Sequence, residues 1–334
     1  MSEPTPYCGG EPEILAVIPC LNEELHLEQI VRNIIENIFP SAFLLVIADG
    51  GSTDRTSLIA HKLAAQFTNV RYLYNPKRIQ SAAVNLAVET YGRNARLLLR
   101  LDSHADYPKD FCQTLIAEQE TTGAAAVVVS MKTAGKTHFQ RAAAAAQNSV
   151  LGNGGAAHRR APADGKWVDH GHHALIRLDA FRAVGGYDES FSHNEDAELD
   201  IRLRRAGYKI WLTGKTALTY YPRAKPHLLF RQYFNFGRGR ARTVVKHRII
   251  PRLRQMIPLA VAPSLLMAPA ASVSLTAALP MALWMAVCFV YGFILAIRAR
   301  SAEIMLAGPA AMLMHLGWSS GFLIGLSASL RRTT

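Results

Sequence analysis

Residues 13–20 read Glu-Ile-Leu-Ala-Val-Ile-Pro-Cys, and residues 42–49 read Ala-Phe-Leu-Leu-Val-Ile-Ala-Asp. Continuous apolar runs of this length, ended by a polar or turn-forming residue, are the pattern of parallel strands buried on both faces. Between them, from Glu23 to Phe39, apolar side chains recur at Leu27, Ile30, Val31, Ile34, Ile35 and Ile38, the spacing of one helical face. Strand, helix and strand make a βαβ unit. Asn69–Tyr74 and Ala95–Leu101 read as two further strands, with a helix from Gln80 to Tyr91 between them. The alternation predicts an α/β domain whose mostly parallel sheet is flanked by helices.

In open parallel sheets ligands collect at the carboxyl ends of the strands, and the polar residues of this half cluster there. The first strand runs into Pro19-Cys20-Leu21-Asn22-Glu23-Glu24, the second into Asp49-Gly50-Gly51-Ser52-Thr53-Asp54, and the fourth into Asp102-Ser103-His104. The second segment also reads as a turn and a helix start, with Gly50 and Gly51 turning the chain, Ser52 capping and Asp54 near the helix start. On that reading Asp49 has no structural duty. Further along, Ser192-His193-Asn194-Glu195 has the spacing of a capping box, with Asp196 in the first turn of the helix that follows.

The overall hydrophobic fraction of 50% and charged fraction of 19% would suit a soluble protein, but the apolar residues concentrate at the end. Gln255–Ile297 is 43 residues without Asp, Glu, Lys, Arg or His, whereas one bilayer span needs about 20. A further stretch, Ile304–Leu330, is interrupted only by His315. Three C-terminal transmembrane helices are expected, with Arg331 and Arg332 at the end leaving room for a re-entrant third. From Ile201 to Ala302 there is no acid, and 15 Lys or Arg fall between Arg202 and Arg254. Beside apolar segments such a belt suits anionic lipid headgroups, and nucleic acid is not the expected partner. The positive-inside rule places the N-terminal part in the cytoplasm. The four cysteines, Cys8, Cys20, Cys112 and Cys288, show no paired spacing, which fits a reducing compartment and no zinc site.

The segments IPCLNEE, ADGGSTDRT, RLDSHA and HNEDAELDIRLRRAGYKIW, in this order over about residues 12–245, resemble the family 2 glycosyltransferases, which have the GT-A fold. DHGHHALIRLDAFRAVGGYDESF and RQYFNFGRGRART are similar to the membrane-attached glucosyltransferases of succinoglycan-type exopolysaccharide synthesis. The resemblance implies a GT-A catalytic domain over 12–230, a basic membrane-proximal segment over 231–255 and a transmembrane region over 256–330. It implies a nucleotide-sugar donor whose nucleoside is held by Asp49 with Glu23 and Pro19 nearby. It also implies donor contacts from Asp102, Arg231 and Arg238, and an acid pair Glu195 and Asp196, with Asp196 as general base.

Asp102 matches the first acid of the family's Asp-X-Asp metal motif, but the third position is His104. Either Asp102 and His104 hold a divalent cation, Mg2+ or Mn2+, or Asp102 and phosphate oxygens hold it, or His104 meets the diphosphate alone. The motif of processive relatives, Gln-X-X-Arg-Trp, is absent where Gly237-Arg238-Gly239-Arg240 stands, so single-sugar addition is expected. Asp169, His170, His172 and His173 are read as an acceptor-site loop, and Gly152–Arg160 as either a phosphate cradle or a flexible loop. The expected reaction is inverting transfer of a hexose, glucose from UDP-glucose, onto a polyprenyl-diphosphate-linked glycan at the inner membrane of a bacterium. The alternatives are direct charging of a polyprenyl phosphate and a catalytically silent, nucleotide-sugar-binding membrane scaffold.

Overall fold

The computed structural model describes residues 13–37, 43–155 and 161–331, apart from 268, 270, 271 and 273. The chain divides into two compact units, residues 1–131 with 160–219 and residues 132–159 with 220–334.

The first unit is built on β1 (Ile14–Cys20), α1 (Leu27–Asn37), β2 (Phe43–Asp49), α2 (Thr56–Gln66), β3 (Val70–Tyr74), α3 (Gln80–Tyr91) and β4 (Leu97–Arg100). These follow the strand and helix runs read from the sequence, because β1, β2 and β4 are buried on both faces and need no polar alternation. β5 (Ala105–Asp106), α4 (Phe111–Thr122) and β6 (Ala126–Thr133) come next. After α5 (His138–Asn148) and α6 (Val150–Asn153), the chain continues with β7 (Lys166–Val168), β8 (His172–Arg177), α7 (Leu178–Ala183), α8 (Glu195–Arg205) and β9 (Ile210–Tyr220).

The sheet order is β3-β2-β1-β4-β8-β6-β9-β5, with β7 on β9. Strands β3, β2, β1 and β4 are parallel, whereas β8 runs antiparallel to both β4 and β6. The sheet is therefore mixed, its parallel run β3-β2-β1-β4 being followed by a β8 that is antiparallel to both of its neighbours. The reversal matters for function. Leu97 pairs with Arg177 and Leu99 with Leu175, so the same register brings the start of β8 opposite the residues that follow β4.

The second unit holds α5, α6 and the C-terminal helices α9 (Pro226–His247), α10 (Leu253–Met256), α11 (Val261–Met267), α12 (Leu279–Ala299) and α13 (Ala307–Leu330). By length and composition two helical stretches, Thr276–Ala299 and Ala302–Leu330, are long and apolar enough to cross a membrane, and Leu253–Met267 is a shorter apolar one. Helix α13 packs on α9 through Gly317, Gly321 and Gly325. A Cβ on Gly317 would sit 2.6 Å from the Phe230 carbonyl oxygen, and one on Gly325 would sit 2.9 Å from Arg238 Cα. A Cβ on Gly321 would run into the Phe234 carbonyl. Small residues four apart let two helix backbones approach this closely. At the other end of α13, Glu303 pairs with Arg141 and His138 of α5.

Candidate active site

The loops at the carboxyl ends of β1 and β2 are laced together by backbone-to-side-chain hydrogen bonds. Asn22, in the left-handed region, donates its N–H to Ser52 Oγ at 2.9 Å, and its Oδ1 accepts from Thr53 N at 2.8 Å. Glu23 N donates to Thr56 Oγ1 at 2.7 Å. Ser52 does not cap α2: its hydroxyl and N–H both donate to Asp49 Oδ1, at 2.6 and 3.1 Å, and Tyr72 OH lies 3.4 Å from Asp49 Oδ2. Asp49, 1% exposed, thus has a structural duty that the sequence reading denied it. Pro19 pairs with Ala48 and Cys20 with Asp49 across the strand ends. Glu23 reaches the third loop, where its carboxylate lies 3.4 Å from His104 Nδ1.

The acids of the third loop and of α8 converge on one cation that the sequence reading passed over. Arg100, the last residue of β4, is 6% exposed. Its guanidinium pairs with Asp196, stands 3.5 Å from Glu195 and 3.7 Å from Asp102, and donates to Tyr187 OH at 3.3 Å. Tyr187 OH in turn donates to Asp196 Oδ1 at 3.0 Å. His172, at the start of β8, bridges the two acid groups, with Nε2 3.4 Å from Asp102 and Nδ1 3.8 Å from Asp196. Gln80 Nε2 donates to Asp102 Oδ1 at 3.1 Å.

The capping box expected at the start of α8 does not form. Asn194 takes a left-handed conformation without a side-chain cap, and Ser192 Oγ lies beside His193 instead. Glu195, Asp196 and Glu198 crowd the first turn, where the helix dipole favours them. Glu198 is fully buried against Arg202. Asp200 binds His170 at 2.6 Å and the Gly171 N–H at 3.3 Å, which anchors the chain entering β8. Position 171 takes only glycine, because any Cβ would run into Val128. His172 therefore stands in the acid cluster rather than on a separate loop. Arg231 and Arg238 lie on α9, in the second unit, and residues 156–160 of the glycine-rich segment lie outside the described residues. Cys20, Cys112 and Cys288 are buried and unpaired, and Cys8 lies outside the described residues.

The cluster separates its carboxyls electrostatically. Burial would raise the Asp102 pKa, but the hydrogen bond from His172 and the charge of Arg100 overcome it and hold this group well below the ordinary range. Glu195 goes the other way. Burial, then the Asp196 charge beside it, push its pKa up to about 7 against the pull of Arg100. Adjacent carboxyls driven apart in this way are a mark of acid–base sites.

The Glycosyl transferase family 2 profile matches residues 15–185, which takes in β1 to β8 and the loops that carry Asp49, Asp102 and His172. The chain belongs to glycosyl transferase family 2. Over 308 residues, 92% of this chain and 93% of the relative, this glycosyltransferase is 54% identical to the succinoglycan biosynthesis protein ExoA of Rhizobium meliloti (strain 1021). It is 21% identical over 242 residues, 70% of this chain and 74% of the relative, to a Methanococcus voltae protein. That relative is named dolichyl N-acetyl-alpha-D-glucosaminyl phosphate 3-beta-D-2,3-diacetamido-2,3-dideoxy-beta-D-glucuronosyltransferase. Among solved structures, the mannosyltransferase PcManGT of Pyrobaculum calidifontis, in complex with GDP-Man and Mn2+, superposes with a TM-score of 0.59. The match covers 93% of this chain and 87% of that one at 17% identity. The fold of the glycosyltransferase is GT-A.

Among the described residues, no three His, Cys, Asp or Glu side chains are placed to hold a cation by themselves. The glycosyltransferase offers instead a carboxylate and an imidazole, Asp102 and His172, 3.4 Å apart. That donor set suits a cation whose shell is completed by phosphate oxygens. Its imidazole favours a transition ion such as Mn2+ over Mg2+, which prefers oxygen alone.

Proposed function

We infer that the protein is an inverting, cation-dependent transferase that moves one hexose from a nucleotide sugar to a lipid-borne glycan in exopolysaccharide synthesis. UDP-glucose is the donor of this reading and a β-linkage its product. The observation that carries it is the convergence of Arg100, Asp102, His172, Glu195 and Asp196 at the carboxyl end of β4. The names of the two relatives, a succinoglycan biosynthesis protein and an enzyme acting on a dolichyl-phosphate-linked sugar, support a polysaccharide product and a lipid-borne acceptor.

In this reading Asp49, Glu23 and the Pro19 backbone hold the nucleoside. Asp102 with His172 or His104 would hold the cation, which when bound neutralises the leaving diphosphate. Asp196 accepts the proton of the acceptor hydroxyl through Oδ2, the oxygen that faces His172, while Arg100 and Tyr187 hold Oδ1. A single displacement inverts the anomer. Arg100 and His172 keep Asp102 ionised in a buried place against the pull of burial.

Membrane attachment is part of the reading. Helix α12 exposes Leu283, Val287, Val290 and Phe293, an apolar face for the acyl layer. Helix α13 is tied by its glycines to α9, which carries Arg231, Arg238, Arg240, Arg242 and Lys246. Each such charge costs roughly 2.5–3.5 kcal/mol at a bilayer centre, and a crossing by α13 would take α9 with it. Attachment within the cytoplasmic leaflet, rather than three full crossings, is what the pair supports.

Membranes containing the protein, given labelled UDP-, GDP- and dTDP-sugars with and without Mn2+ or Mg2+, test the reaction. Asp196→Asn should lower transfer by about a hundredfold or more and leave donor binding nearly intact. Unchanged transfer would remove the base assignment.

A further inference from the structure

The second unit contains one acid, Glu303, against a large excess of Lys and Arg, and Glu303 is taken by Arg141 and His138. Basic side chains therefore greatly outnumber acidic side chains in the sequence of this unit. The deficit is sharpest where Arg240, Arg252 and Arg254 meet. Arg240 Nη2 donates to Gln255 Oε1 at 3.2 Å, and the same oxygen accepts the Arg252 N–H at 3.1 Å. The Nε of Arg240 is buried without an acceptor. Burial, then the charges of Arg252 and Arg254, press the Arg240 pKa down to about 10, and the same forces lower that of Arg254.

Gly154, whose φ is +58°, packs beside Arg254, where a Cβ would meet Arg254 Cβ at 3.4 Å. Gln255 is fixed from behind, where its carbonyl accepts from Trp318 Nε1 at 3.3 Å. Beside the arginines Ile250, Leu253 and Ile257 are exposed to 88%, 74% and 67%.

A buried guanidinium N–H that lacks an acceptor, as at Arg240 beside the further charges of Arg252 and Arg254, costs free energy until an anion enters. The planar forks of arginine match phosphate oxygens two at a time. The adjoining apolar side chains suit the hydrocarbon of a molecule that carries the phosphate. We propose that Arg240, Arg252 and Arg254 form a binding site for a phosphate or diphosphate group borne on a lipid, whose chain lies against Ile250, Leu253 and Ile257. The site extends the functional reading above, on which it rests for the identification of its occupant with the acceptor's diphosphate.

The test uses the full chain in a neutral detergent, titrated with farnesyl diphosphate, farnesol and inorganic pyrophosphate by calorimetry. Farnesyl diphosphate should bind and farnesol should not. The double variant Arg240→Gln/Arg254→Gln should weaken farnesyl diphosphate binding tenfold or more while UDP-sugar binding stays as in the parent. Pyrophosphate bound as tightly as farnesyl diphosphate would overturn the lipid source, and wild-type affinity in the double variant would overturn the site itself. If the double variant does not fold, Arg254→Gln alone decides. With one like charge removed it should keep its melting temperature without anion and lose most of the rise that pyrophosphate gives the parent. An equal rise in both proteins would overturn the site. None of these readouts requires sugar transfer, so failure of the transferase reading is told apart from failure of the site.

Discussion

Replacing Glu195 by glutamine separates the two acids that the sequence places side by side. The ordinary glutamate value is 4.5, and burial beside Asp196 lifts Glu195 to about 7. Between those values the folded protein holds a proton that the unfolded chain has released, so stability falls as pH rises across the window. Below 4.5 this acid costs nothing, and above about 7 its full cost is present. At about 1.4 kcal/mol for each pH unit, the cost grows by roughly 2–3 kcal/mol from pH 5 to pH 8. Glu195→Gln keeps the shape and cannot ionise, so relative to the parent it should gain about that much over the same interval. For a unit of this size the gain is a rise of roughly 5–10 °C in melting temperature. Asp102 does not confuse the result: its pKa lies below the ordinary range, so its contribution is lost only in acid. The assay is thermal unfolding of both proteins in detergent across pH 5 to 8. A difference that stays flat, or that grows as pH falls, would refute the assignment of Glu195 as the buried acid with the raised pKa. Loss of all transfer in Glu195→Gln, with Asp196→Asn still active, would exchange the roles of the pair.

Three further outcomes follow from particular contacts. His172→Gln removes the imidazole facing Asp102 and should raise the Mn2+ concentration for half-maximal transfer roughly tenfold, as ligand-shell changes do; an unchanged Mn2+ requirement would exclude His172 from the cation site. Gly321→Ala forces a methyl into the Phe234 carbonyl and should destabilise the second unit by about 1–3 kcal/mol. The control Ile324→Ala, at a side chain 54% exposed, should stay within about 0.5 kcal/mol by the same denaturation measurement. A cysteine at Ala328, in a Cys8→Ser background, should be labelled by a charged maleimide from the side that carries the catalytic unit, and labelling only from the opposite side would show that α13 crosses.

The first half of the fold was legible because its information is local. Strands β1 and β2 announce themselves as unbroken apolar runs, and α3 keeps the bounds Gln80–Tyr91 read from periodicity. The acid cluster was legible only in part. Asp102, Glu195 and Asp196 stand out as acids at element ends, but their joining through Arg100 depends on α8 meeting β4, a contact 96 residues apart in sequence. A signal was present even so: Arg100 is the one charge in Leu97-Leu98-Leu99-Arg100-Leu101, and a charge inside a buried strand requires partners. His172 was misplaced for a topological reason, since only an antiparallel β8 beside β4 turns a histidine-rich loop toward Asp102. The capping-box pattern misled because spacing cannot tell that Asn194 turns left-handed.

At the C-terminus hydropathy carries only part of the information. A sliding window scores α13 by what its side chains are, so Ala302–Leu330 passes as a span. Packing depends on where the missing side chains are. Gly317, Gly321 and Gly325 fall on one face, every fourth residue, and that face takes the backbone of α9, whose arginines a window placed elsewhere counts as a separate basic belt. The apolar helix and the basic helix are one element of structure, and neither can choose its depth in a membrane alone. In the proposed attachment, apolar α12 would supply the insertion and α9 the headgroup contacts. An acceptor carried on a lipid diphosphate would lie where such an element ends, at the boundary between hydrocarbon and phosphate. Arg240, Arg252 and Arg254, beside Ile250 and Leu253, present that same boundary in miniature.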